Sequence, residues 1–142
     1  MILNRKTLKF EIDLDFVLIA ITTSLRDYRI CHHINKRLNF DFVKKPDLEV
    51  DLIKGADPVL FSLYEYHWEA SETDFYFIAN KGSEGYLVPE MRKADYFIMI
   101  KNYIDDTDLD KLISDLNKIQ EIVAAVKIDP KKIKSRENLL LF

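Results

Sequence analysis

Two carboxylates, Glu90 and Asp95, bracket a corner in the stretch GYLVPEMRKADYFIMI, residues 85–100. Carboxylates held in unlike environments can divide the work of general acid and general base. Such a pair needs a companion nucleophile or histidine, and none lies nearby. The alternative is structural. Pro89 forces Val88 to be extended, then suits the first position of a helix. Glu90 follows where a helix N-terminus favours negative charge. Met91, Arg92 and Lys93 can complete a turn, and Asp95 opens the next strand, where it can accept from backbone N–H groups. The spacing predicts strand, single turn, strand, with both carboxylates acting as caps.

Other chemistry-bearing residues meet similar limits. Cys31, His32 and His33 are consecutive, and on a helix they point about 100° apart, so they cannot converge on one metal ion. His67 could join one of these histidines only across the fold. DTDLDK, residues 106–111, resembles the opening of a calcium loop, but Lys111 and Asn117 stand where glycine and glutamate are needed. KGSEG lacks the context of a phosphate cradle, and neither a G-x-S-x-G elbow nor a zincin helix occurs. No metal or cofactor is expected, and the catalytic set is empty.

The elements that must position these residues follow from periodicity. Leu8, Phe10, Ile12 and Leu14 alternate with polar residues, the mark of a strand with one wet face. Residues 16–22 are β-branched and apolar, and fit either a second strand or the start of the following helix. Ser24 opens a capping-box pattern with Asp27, beginning a helix over 24–38. Its apolar side carries Leu25, Tyr28, Ile30, Cys31, Ile34 and Leu38, and its other side is basic. Asn35 falls on the apolar side and must find backbone partners there. Residues 45–58 read as a polar connection. VLFSLYEYHW (59–68) and DFYFIAN (74–80) read as strands, and YLV (86–88) as a short one. ADYFIMIK (94–101) is apolar at both parities, so both its faces should be covered. Thr107 and Asp110 have capping-box spacing before a helix over 108–121, with a stripe of Leu109, Leu112, Ile113, Leu116, Ile119 and Val123. A strand at 123–128 follows. The whole predicts a single α+β domain over 1–142: a mostly antiparallel sheet, two helices packed on it, and a C-terminal βαβ unit.

Bulk properties narrow the setting. The chain has 142 residues, a net charge of -3 and one cysteine. That charge gives no general attraction to phosphate or anionic lipid. A lone cysteine forbids an internal disulfide and fits a reducing compartment. The longest apolar run is too short to span a bilayer, and charges stand where a signal peptide needs an apolar core. A cytoplasmic protein is expected.

VPEMRKADY resembles the signature of the bacterial family named IPExxxVDY after that motif. Pro89, Glu90, Asp95 and Tyr96 match as written, with Val88 for its Ile and Ala94 for its Val. An F-x-L-I segment at 16–19, DYR at 27–29, Asn35 and IDPKKIKS at 128–135 extend the likeness through most of the chain. The resemblance implies bacterial origin and transfers no established activity.

The apolar residues of 59–68 and 74–80 occupy both parities, more than two helices can cover. Loops must cover the remainder, or a second copy or ligand does. The leading expectation is a non-catalytic interaction module that self-associates as a homodimer through Tyr64, Tyr66, Trp68 and Tyr76. The alternative is a ligand-binding protein or enzyme with its pocket between the first helix and the sheet, near Tyr28, Arg29, Asn35 and Glu90. Single-stranded nucleic acid is a third partner class, through the basic helix face at Arg26 and Lys36, but Glu65, Glu69, Glu72 and Asp74 interleave the aromatics and argue against it.

Overall fold

The computed structural model describes residues 16–139; the alternating segment 8–14 lies outside them. The first described strand, β1 (Val17–Thr23), resolves the ambiguous run 16–22 as strand. Leu18, Ile19 and Ile21 are fully buried there, and both edges of β1 are hydrogen-bonded. Helix α1 (Asp27–Leu38) follows, then β2 (Val43–Val50), β3 (Val59–Trp68) and β4 (Thr73–Ala79). A small hairpin of β5 (Lys81–Gly82) and β6 (Gly85–Tyr86) leads to the corner, a 3-10 turn at Pro89–Met91. Then come β7 (Tyr96–Lys101), α2 (Asp106–Asn117) and β8 (Ile122–Ile128).

The main sheet has the order β2-β3-β4-β7-β1-β8, and every neighbouring pair is antiparallel. The α+β reading is correct. The strand–helix–strand order at the C-terminal end is also present, with β1 between the parallel strands β7 and β8.

Three boundaries differ from the sequence reading. Residues 43–50, expected in part as a polar connection, form an edge strand almost wholly exposed on both faces. Pro46 is tolerated because the register with β3 shifts between Lys45 and Leu48. Helix α1 starts at Asp27 after Arg26 rather than at a Ser24 cap, since Thr23 Oγ1 engages the Leu25 N–H and delays helix entry. Helix α2 is capped by Asp105, which accepts from the Asp108 N–H at 2.7 Å, so the cap precedes Thr107.

Both sheet faces are covered, by different material. Helices α1 and α2 pack on Ile19, Ile21, Phe75, Phe77, Tyr96 and Ile98. The other face, with Leu18, Phe61, Ile78, Phe97 and Met99, is covered by Leu87, Val88 and Ala94 of the corner and by Ile133 and Leu139 beyond β8. Strand β3 changes allegiance midway. Val59, Phe61 and Leu63 face the corner side, whereas Tyr64, Tyr66 and Trp68 face the helices. That switch explains apolar residues at both parities.

Asn80 holds the corner to the sheet. It is fully buried, and its amide donates to Met91 O and Ala94 O at 2.9 Å while accepting from the Val88 N–H at 2.8 Å. Its backbone donates to Asp95 O and accepts from the Leu87 N–H. Asn80→Ala strands one N–H and two carbonyls, and a buried polar group left without a partner costs about 1–3 kcal/mol. Urea unfolding should show a loss of roughly 3 kcal/mol. A loss below about 1 kcal/mol would show that water replaces the amide.

Candidate binding cleft

Where α1 ends, the chain must reverse sharply to start β2. Asn39 makes the turn in the left-handed conformation (φ 58°), the usual device at a helix C-terminus. Phe40 thereby enters an aromatic cluster, its ring centroid 4.7 Å from Tyr66 and 5.0 Å from Phe75. Asn35 fixes the next turn, since its amide accepts from the Phe42 N–H at 2.8 Å and donates to Phe42 O at 3.2 Å. The half-buried amide thus finds the backbone partners its place on the wheel demanded.

Between this cluster and α2 lies a half-open cleft of about 390 Å³. Phe40, Tyr66, Trp68 and Phe75 form its aromatic wall, and Leu38, Ile104 and Leu112 complete the apolar lining. Polar groups enter from one helix face, because Asp108, Lys111 and Asp115 recur at helical spacing on α2. Lys111 Nζ lies 2.7 Å from Asp115 Oδ2. Burial, then the nearby Asp41 carboxylate, push the Tyr66 phenol above its ordinary range. An apolar wall with a few convergent polar groups is the usual form of a small-molecule site.

The expected site residues fall elsewhere. Tyr28 is 60% exposed and Arg29 is exposed. Asn35 supports the cleft wall from behind. Glu90 is on the corner, where Oε2 accepts from the Ser135 N–H at 2.7 Å and Oε1 from the Ser135 hydroxyl at 2.8 Å. Asp95 Oδ2 accepts from the Thr23 N–H at 2.9 Å, and the Tyr96 hydroxyl donates to Leu25 O at 2.8 Å. Both carboxylates therefore bind backbone donors, as the corner reading required. A separate polar cleft contains Asp95 and Tyr96 together with Arg26 and Lys81. Burial, then Asp27 and Asp95, raise the Tyr96 phenol to about 12.

Tyr64 is buried under α1 and donates to Asp27 Oδ2 at 3.2 Å. Tyr66 and Trp68 pack on the same side, whereas Tyr76 packs on the opposite face. The four aromatics expected to make one surface are thus divided between two. Burial raises the Cys31 thiol. His33 lies 3.7 Å from Glu121 Oε1, and His67 Nδ1 is 2.7 Å from Asp74 Oδ1, whose other oxygen accepts from the Asn102 amide. No three His, Cys, Asp or Glu side chains converge as metal ligands among the described residues, and no described helix is long and apolar enough to cross a membrane. Comparison with protein-family models, curated proteins and solved structures finds no match to this chain.

Phe40, Asp108, Lys111 and Asp115 were missed as site residues. The repeat along α2 beside Leu112 was the available signal, but the sequence reading weighed only residues 106–111, and only against a calcium loop.

Glu90 sets an acid-sensitive clamp. Burial pushes its carboxyl up, but its own N–H, the Ser135 hydroxyl and N–H, and the Lys134 N–H outweigh this and hold it below the ordinary 4.5. A depressed folded-state pKa means stability present above that ordinary value and lost as pH falls through the lower one. Thermal melts of parent and Glu90→Gln should therefore differ at neutral pH and converge in acid. Curves that stay parallel to pH 3 would refute the clamp.

Proposed function

We propose that this chain is a single-domain, non-catalytic binding module of the bacterial cytoplasm, related to the IPExxxVDY family, and that it holds a small ligand in the aromatic cleft. The observation that carries this reading is the half-open wall of Phe40, Tyr66, Trp68 and Phe75 facing Asp108, Lys111 and Asp115. Tyr66, Trp68 and Phe75 stand on two paired strands and the three polar residues on α2, the rigid support a specific site needs, with Phe40 brought in by the turn after α1. The kinship is read from Pro89, Glu90, Asp95, Tyr96 and the accompanying segments. Trp68, the chain's only tryptophan, makes the cleft observable by fluorescence. Small neutral aromatic fragments should shift its emission saturably, and Phe40→Ala should weaken them at least tenfold. A fragment panel that leaves Trp68 unchanged would sink the reading.

Self-association is a second reading, carried by a different surface from the one first expected. Strand β8 is a sheet edge on which Val123 is 77% and Val126 52% exposed. Such an edge can pair with another copy. Light scattering at micromolar concentration should then give twice the 16.8 kDa chain mass, and Val126→Lys should restore the single-chain value. A parent of single-chain mass would remove the dimer.

A further inference from the structure

We infer that the cleft takes a small organic cation, an alkylated ammonium whose charge meets Asp108 while its carbon groups pack on Phe40, Tyr66 and Trp68. The inference rests on the aromatic cleft being the binding site and specifies the chemistry of its ligand.

Charge decides the class. Of the ionisable groups lining the cleft, Lys111 and Asp115 form a 2.7 Å pair and largely cancel. Asp108 is then left as a half-buried carboxylate with no cationic partner among the described residues. Asp41 stands close enough to Tyr66 to raise its phenol, although burial is the larger cause. The C-terminal end of α1, the negative pole of that helix, contributes Leu38 and Asn39 to the lining. The positive pole of α2 opposes this, but Asp105 already caps it. An anion would meet uncompensated carboxylate. A neutral apolar guest would strip water from Asp108 and return no charge. A bare metal ion would find too few donors, whereas an alkylated cation satisfies both walls. The faces of tryptophan and tyrosine attract such cations, most strongly where water is excluded. The volume of about 390 Å³ lies within the range of small-molecule sites.

Three isosteric probes test the charge: choline, its neutral analogue 3,3-dimethylbutanol, and the anion 3,3-dimethylbutanoate. Each is titrated into the full chain with Trp68 emission as the signal. Choline should saturate at concentrations at least tenfold below the neutral analogue, and the anion should not bind. Asp108→Asn should weaken choline about tenfold without changing the neutral analogue. Lys111→Ala frees Asp115 and should tighten choline several-fold, a gain that a damaged fold could not produce. If choline and the neutral isostere bind equally, or the anion binds best, the cation inference is overturned while the cleft reading survives. A trimethyllysine peptide binding far more tightly than choline would also overturn it, in favour of a protein partner. If choline is silent where neutral aromatic fragments bind, the inference fails alone. Silence from every probe and fragment retires both readings.

Discussion

The buried amide of Asn80 is the constraint on which much of this architecture hangs. A corner that leaves a sheet exposes N–H and C=O groups in a place too dry for water to satisfy them. Asn80 answers with one side chain that can accept and donate at once, linking Val88, Met91 and Ala94. Its backbone bonds to Leu87 and Asp95 close the same loop from the other side. Because the corner is fixed, Leu87, Val88 and Ala94 can cover the second sheet face, and the segment beyond β8 can settle beside them. Glu90 then binds that segment at Ser135, and Asn138 of the segment donates back to Leu87 O. One polar group thereby makes an apolar layer possible.

The molecule divides its labour by face. The corner side is closed by backbone-binding side chains, with Glu90 and Asp95 engaged by backbone donors. The helix side is packed tightly near Ile30, Ile34 and Leu116 but opens where α1 stops and α2 begins. Asn39 turns the chain away before α1 can cover Trp68. Recognition can be built in that gap without disturbing the part that holds the sheet together.

Legibility in the sequence tracked burial. Strands β3, β4 and β7 were readable because their apolar residues are packed, and α2 because Leu109, Leu112 and Leu116 recur on one side. The single turn after Pro89 was readable from local stereochemistry alone. Strand β2 was not, since VKKPDLEV has little apolar alternation and owes its conformation to pairing with β3. Asn80 read only as the end of a strand, because its three partners lie up to Ala94 and only the fold brings them around it. The cleft was not legible. A pocket was expected near Tyr28, Arg29, Asn35 and Glu90, whereas the cleft lies between the aromatic cluster and α2, and its walls come from residues that no local pattern connects. The backbone roles of Glu90, Asp95 and Asn35 could be argued in advance because each type has few ways to be satisfied at its position.

The sheet order carries a consequence for how the protein is made. Strand β1 is the first described strand to be synthesised, yet both its partners, β7 and β8, are among the last. The β2–β3–β4 meander can assemble from neighbours, but β1 must keep Leu18, Ile19 and Ile21 unsheltered on the ribosome until the distal third of the chain has emerged. Contacts this remote in sequence close slowly. A nascent chain with an apolar strand awaiting two late partners is the kind that chaperones hold, and a stalled or truncated translation product lacking β7 and β8 is left with its stickiest segment exposed.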